Sequence, residues 1–324
     1  MSAPNKDLYR AIKAMAKELS FADFGSASAG PVSQLCRNSY NDALEKGHFA
    51  GMQYLNNNLE KRFNPTLLVE GATTVLVFLA PYSLPDNFTP PPGISQYALG
   101  KDYHTIIKGK LLKIMEFLAA NCQDFQGRAF TDSAPVMERE WAVRAGLGFI
   151  GKNNFLISKS CGVKNFIGVI ICNAPIPSTM EMEPQKRLKT CGECGECQRC
   201  LQGCPTGALC APYTIDARKC ISYHTIENRN LGASLENGEI ASLHGKYFGC
   251  DNCSNACPWN SRSLPGWEEF RTHYEILWES GNEWWRKLSE EEFKKKFKDS
   301  PLLRGGLKNI RTALEWGNKR KENE

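Results

Sequence analysis

The sequence predicts an α+β fold in which a mixed helix–strand domain is followed by a small cysteine-rich domain and a short helical C-terminal region. Three observations predict it. Residues 103–120 place Ile106, Ile107, Leu111, Ile114, Phe117 and Leu118 at helical period. Residues 73–80 (TTVLVFLA) and 166–172 (FIGVIIC) are short apolar runs of the kind that form buried strands. Ten of the fourteen cysteines fall between Cys191 and Cys257.

The first domain is expected over residues 1–188. Residues 5–19 read as a helix, residues 88–93 with three consecutive prolines as a loop, and residues 174–189 with Pro175, Pro177 and Pro184 as a linker. The cysteine domain is expected over 189–262. The C-terminal region, 263–324, holds five of the seven tryptophans and reads as helical, with breaks at Pro301 and at Gly305-Gly306. With 42% hydrophobic residues the chain can bury a real core, and no apolar run is long enough to span a membrane. The N-terminal residues lack the apolar core of a signal peptide, so a cytoplasmic home is expected. In that reducing compartment, clustered cysteines point to metal or redox chemistry rather than disulfides. Cys36, Cys122, Cys161 and Cys172 are scattered and read as structural.

The net charge is +5, and residues 286–324 alone carry 12 Lys/Arg against 7 Asp/Glu. The excess therefore sits at the C-terminal end, either as a solvated helix face or as a surface for nucleic-acid phosphates.

The strongest motif is Cys194-x2-Cys197-x2-Cys200-x3-Cys204-Pro205. A tight loop of this spacing wraps three thiolates round one [4Fe–4S] cube, and the cysteine before proline serves the other cube. A second copy, Cys250-x2-Cys253-x3-Cys257-Pro258, is one cysteine short, because position 247 is tyrosine. The crossover assigns Cys194, Cys197, Cys200 and Cys257 to one cluster, and Cys204, Cys250 and Cys253 to the other. Cys220 is the best candidate for the remaining ligand, with Cys191 and Cys210 as competitors. Zinc requires only four tetrahedral ligands, fewer than this framework offers.

Two segments of the first domain are polar where a core would be apolar. One is residues 95–104, at the mouth of the long helix. The other is residues 130–141, where Pro135 marks the expected first turn of a helix that Gly146 can end. Asp132 precedes that helix. The bland role is an N-cap; the functional one is a proton donor, since burial raises a carboxyl's pKa toward neutrality. The run Gly146-Leu-Gly-Phe-Ile-Gly-Lys-Asn153 fits neither a P-loop nor a dinucleotide fingerprint, but its glycines let backbone approach a large flat ligand.

Together these stretches resemble the epoxyqueuosine reductase family of queuosine biosynthesis. The resemblance rests on Tyr97-Ala-x-Gly-x-Asp-Tyr-His104, Thr131-Asp-Ser-Ala-Pro-Val-Met-Glu-Arg139, Gly146-x-Gly-Phe-Ile-Gly-Lys-Asn153, the run from Cys194 to Thr206, Ala211-Pro-Tyr-x-Ile-Asp-Ala-Arg-Lys-Cys-Ile-Ser-Tyr223, and the segment from Tyr247 to Asn260. It implies a nitroreductase-like domain that holds cobalamin and a ferredoxin-like domain that carries two [4Fe–4S] clusters. It implies an oxidoreductase that reduces the epoxide of epoxyqueuosine at the wobble position of tRNA. Asp132 matches the proton donor and Cys220 the remote fourth cluster ligand. Cobalamin contacts are expected at Asn57, Ser95, Tyr97, Asp132, Lys152, Asn153, Ser158, Ser222 and Tyr223. Substrate contacts are expected at Asp102, Tyr103 and His104, and tRNA phosphate contacts at Arg304, Lys308 and Arg311. The expected partners are the tRNA and a low-potential donor of flavodoxin or ferredoxin type, with the enzyme a monomer.

Two departures stand out. Relatives carry an arginine in the stretch matching residues 54–58, where this chain has Asn57, and longer relatives continue into a HEAT-like extension that this chain has at most in rudiment. The rival readings are a cobalamin-dependent reductive dehalogenase, which usually carries a twin-arginine signal not seen here, a ferredoxin-like electron carrier, and a zinc-binding tRNA module.

Overall fold

The computed structural model describes residues 4–184 and 192–321. The first domain is built on a four-stranded antiparallel sheet of order β1-β2-β6-β3: β1 Asp23–Ser28, β2 Thr74–Pro81, β3 Gly127–Phe130 and β6 Asn165–Cys172. Every residue of β2 is buried. Its side chains alternate between faces, as strand geometry requires. Leu76, Phe78 and Ala80 pack under α1 (Lys6–Glu18) and α4 (Tyr103–Asn121). Val75, Val77 and Leu79 pack on the other face with Phe63 of α3 (Leu59–Phe63), Tyr40 of α2 (Gln34–Glu45) and Trp141 of α5 (Glu138–Arg144). Cover on both faces explains why β2 is a continuous apolar run rather than an alternating one.

The long helix α4 begins where Asp102 accepts a hydrogen bond from the His104 amide at 2.9 Å, and it buries Ile107, Leu111, Ile114 and Leu118 completely. Helix α5 begins at Glu138, three residues later than Pro135 led us to expect. Residues 132–137 form a loop instead, because the Glu138 side chain turns back to the Asp132 amide. The end of α5 is as expected. Gly146 adopts φ +74, its N–H bonds the Val143 carbonyl, and the Leu147 N–H bonds the Ala142 carbonyl. Beyond it, β4 Phe149–Ile150 and β5 Leu156–Ile157 form a small hairpin.

The expected linker packs against the first domain over its described part. Its short helix α6 (Thr179–Met182) sits against β1, where the Thr179 hydroxyl accepts the Ser26 N–H at 2.7 Å, and Glu183 meets Tyr9 and Lys13, both at 2.6 Å. Residues 185–189 lie outside the described residues, as does Cys191.

The cysteine domain contains α7 (Arg199–Gln202), the hairpin of β7 (Leu209–Ala211) and β8 (Thr214–Ile215), a π-helical turn at Tyr223–Glu227, α8 (Leu231–Glu236) and α9 (Asn252–Asn255). The C-terminal region adds α10 (Tyr274–Glu279), α11 (Asn282–Lys287), α12 (Glu290–Lys296) and α13 (Leu302–Lys321), the last kinked at Gly306. Its core of Trp285, Phe293, Phe297, Leu302 and Ile310 is continuous with Ile221, Ile226 and Phe248 of the cysteine domain and with Ile94 and Leu99 of the first. Trp267 packs with the first domain, donating to the Ser20 carbonyl at 2.8 Å. Among the described residues no helix is long and apolar enough to cross a membrane.

Because Trp285 is wholly buried in a core shared by all three regions, Trp285→Ala should destabilise the fold by about 3–5 kcal/mol. Iron content and thermal stability should fall together, as read by iron analysis and circular-dichroism melting of anaerobically purified protein.

Candidate active site

The structure brings the cysteines of the motif into two groups of four. Cys194, Cys197, Cys200 and Cys257 line a recess of about 70 Å³, closed by Lys152, Asn153, Ile157, Pro258 and Trp259. The second group is Cys204, Cys220, Cys250 and Cys253: the Cys253 thiol feels the charges of the other three. The thiols surround a space rather than a point, and among the described residues no three His, Cys, Asp or Glu side chains converge as they would on a single ion. Burial, reinforced by mutual repulsion, raises the pKa of Cys257 to about 11 and pushes Cys250 and Cys253 up as well. Thiols so crowded ionise together when bound metal supplies the compensating positive charge, a requirement that a cluster would meet. Cys210 is exposed on the β7–β8 hairpin, with its thiol 3.7 Å from the Thr214 carbonyl.

The first domain reaches both groups through one short segment. Lys152 donates to the carbonyls of Gly195 at 2.7 Å and Cys197 at 3.0 Å, and the Asn153 amide donates to the Cys253 carbonyl at 3.4 Å. Lys152 and Asn153 thus lie at the cysteine recess, not on the large cavity described below. A second clamp joins Ser95 to the loop before α9. The Ser95 hydroxyl donates to Asp251 at 2.5 Å, as does the Gln96 N–H at 2.7 Å. Gly249, at φ +72, permits this approach, since a Cβ there would stand 2.6 Å from that of Ser95.

A cavity of about 1010 Å³ opens between the three regions, at the upper end of small-molecule sites. Its walls come from α2, residues 54–62, the loop 132–137, the start of α5, the β7–β8 turn and Arg304. Asn57 and Asp132 are on this wall; Ser95, Tyr97, Ser158, Ser222 and Tyr223 are not among its lining. Ser158 is buried and bonded to Ser160, and the Tyr223 hydroxyl accepts the Gly51 N–H at 3.0 Å.

Asp132 occupies an unusual backbone position, φ +48. It is not an N-cap: its own N–H donates to the Glu138 carboxyl at 2.6 Å, and its carboxylate accepts the Tyr103 hydroxyl at 2.7 Å. Tyr103 is stacked on Phe166 and on His104, with ring centroids 4.1 Å apart in each case. Burial works against a charged His104, but its hydrogen bond to Asp102 at 2.6 Å and the neighbouring Asp132 outweigh this and raise its pKa. Burial, with the nearby Asp132 charge, lifts the Glu138 pKa to about 8. Arg139 is exposed on the cavity wall, where its side chain donates to the Asn154 carbonyl.

The motif reading gave no role to Glu138 or Arg139, although both stand inside the quoted stretch. Arg62 it missed altogether, since one basic residue in a short helix carries no local signal. Arg62 lies on the cavity wall near the Asn57 stretch, and its Nε is buried without a hydrogen-bond partner. Of the expected phosphate contacts, only Lys308 is exposed without a described partner. Arg304 forms a two-point pair with Glu227 at 2.5 and 2.7 Å. Arg311 donates to the carbonyls of Trp285, Arg286 and Leu288, which the end of α11 leaves unsatisfied.

Two family profiles match the chain: "Epoxyqueuosine reductase QueG, DUF1730" over residues 62–133 and "4Fe-4S double cluster binding domain" over residues 193–260. An epoxyqueuosine reductase of Leadbetterella byssophila is 35% identical over 313 residues, covering 96% of this chain and 98% of the relative. The chain belongs to the epoxyqueuosine reductase family. Another member, from Cellulophaga algicola, is 35% identical over 82% of this chain and 83% of its own. The fold is that of a crystallised epoxyqueuosine reductase in complex with an epoxyqueuosine-modified tRNA-Tyr stem loop, with a TM-score of 0.78 at 24% identity, covering 95% of this chain and 81% of that one. The double-cluster match spans all eight cysteines of the two groups.

Replacing Cys220 by serine should remove about half of the cluster iron and leave the group around Cys257 loaded, whereas Cys210→Ser should leave iron content unchanged. Iron and sulfide analysis with electron paramagnetic resonance of the reduced protein reads both.

Proposed function

We propose that this chain reduces the epoxide of epoxyqueuosine at the wobble position of tRNA to the alkene of queuosine, using two [4Fe–4S] clusters and cobalamin. The observation that carries the reading is Asp132, held by Tyr103 on the wall of a cavity of about 1010 Å³ whose neighbouring walls belong to the cysteine domain. In this reading the first domain is nitroreductase-like and the second ferredoxin-like. The complex of a solved relative with a modified stem loop supports tRNA as the substrate class.

The cavity fits a corrinoid in size and in chemistry. Tyr40, Phe49, Val136 and Ile150 offer apolar wall, while Asn57, Asn58 and the orphaned Nε of Arg62 offer donors to polar substituents. Reduced cobalamin, when bound, supplies the electrons that open the strained C–O bond. The remaining work falls to the chain. Lys152 and Asn153 fix the cluster loops beside the cavity, so electrons from a flavodoxin- or ferredoxin-type donor enter through the cysteine domain. Asp132 delivers a proton to the departing epoxide oxygen, which would otherwise leave as a poor alkoxide. The overall balance is two electrons and two protons in, one water out. Tyr103 orients the Asp132 carboxyl, and His104, held by Asp102, stacks on Tyr103. Of the three expected phosphate contacts, Lys308 is exposed without a described partner, and Arg304 becomes available if its pair with Glu227 opens. The enzyme acts as a monomer in the cytoplasm, where its tRNA substrate resides.

The test is turnover by anaerobically reconstituted protein given cobalamin, a strong reductant and tRNA bearing epoxyqueuosine. Mass spectrometry of the digested nucleosides should show loss of one oxygen, dependent on cobalamin and abolished in Asp132→Ala. Absence of conversion with both clusters intact and cobalamin bound would sink the assignment. Tyr103→Phe removes one hydrogen bond to the acid and should lower kcat about tenfold with little change in cluster content.

A further inference from the structure

The Asp132 side chain can act on a substrate only if an unfavourable backbone conformation is maintained. A non-glycine residue at φ +48 lies in the left-handed region, and such positions persist only where the surroundings over-determine them. The tethers are on view. On one side Thr131 is fixed by its hydroxyl to the Ile167 carbonyl of β6 at 3.0 Å. On the other side the chain enters a proline-containing loop, residues 133–137, whose one described internal backbone bond runs from the Val136 N–H to the Ala134 carbonyl. That loop forms part of the cavity wall. It is closed at its base by the Glu138 carboxyl, which reaches back six residues to accept the Asp132 N–H at 2.6 Å.

This is an odd use of Glu138. An acidic residue in the first turn of a helix ordinarily faces the solvated amide end of its own helix. Here the half-buried side chain turns back instead to the Asp132 backbone. Its anchor is firm, because the next turn of α5 carries Trp141 and Ala142, both wholly buried against the sheet. Burial, with the nearby Asp132 charge, raises the Glu138 pKa. Protonated or not, the Glu138 carboxyl keeps an oxygen that accepts the Asp132 N–H.

We infer that Glu138 is a positioning residue, a latch whose carboxyl group holds the Asp132 backbone N–H and so keeps the Asp132 side chain on Tyr103 at the cavity wall. The role rests on the reading of Asp132 as the proton donor, but the latch itself is a property of the folded chain. Glutamine keeps an acceptor oxygen at this position; alanine removes it.

Two measurements test it. In the turnover assay, Glu138→Gln should keep kcat within about threefold of the parent, while Glu138→Ala should lose about 100-fold in kcat, the scale of a small misplacement of a reacting group. The KM for the modified tRNA should move less than about threefold in both, with cluster iron unchanged. In hydrogen–deuterium exchange, the Asp132 amide should be protected in the parent and in Glu138→Gln, and should exchange at the rate of an open loop in Glu138→Ala. A loss in Glu138→Gln as deep as in Glu138→Ala would make Glu138 a proton-transfer group and overturn the latch. Fast exchange of the Asp132 amide in the parent protein would overturn it too, whatever the variants do. Exchange needs no substrate, so failure of the epoxide assignment and failure of the latch give different results.

Discussion

Eight cysteine thiols packed in two groups are the constraint on which the rest of this structure depends. Their burial raises the pKa values of most of them, and thiolates crowded at such distances repel one another. Without iron the arrangement is costly; with iron it binds the segments from Cys194 to Cys257 into one unit. Those segments have little secondary structure of their own. Their helices α7 and α9 are four residues long, and the β7–β8 hairpin is shorter than most isolated hairpins that hold shape. The cluster framework therefore adds to the hydrophobic core that Ile221, Ile226 and Phe248 share with the C-terminal helices.

That rigid unit sets the position of the large cavity. Lys152 and Asn153 tie it to the hairpin of the first domain, and Ser95 and Gln96 tie it to Asp251. With both clamps in place, residues 212–215 become a wall of the cavity opposite the Asp132 loop. The C-terminal helices contribute Arg304 to the remaining side. Arg304 reaches the cavity while paired to Glu227, and the core under it runs unbroken from Trp285 to Phe248 and Leu99. What reads in the sequence as a basic appendage is structurally a third wall.

Much of this was legible in the chain. The helix over 103–120 and the strands around 73–80 and 166–172 were visible because each has an apolar pattern long enough to exceed local noise. Strand β1 was not visible. Its sequence, DFGSAS, is small and polar, because Gly25 lies against the end of α5, where a Cβ would stand 2.3 Å from the Ala145 carbonyl. The start of α5 was misplaced for a related reason. Pro135 is a good first-turn residue, yet a side chain six positions from Asp132 drew the preceding loop out of the helix.

The sequence by itself marked seven of the eight grouped cysteines, because thiol spacing on a short loop is a local property; the place of the remote Cys220 among them was decided by the tertiary structure. It also marked the Asp132 segment, whose residues are contiguous. Tertiary structure alone decided that Lys152 and Asn153 meet the cluster loops, that Arg311 is spent on the carbonyls of α11, and that Arg62, Glu138 and Arg304 stand on one cavity. Those residues come from segments far apart in the chain. No period or spacing links them, and only the packing of the sheet, the cluster unit and the C-terminal core brings them together.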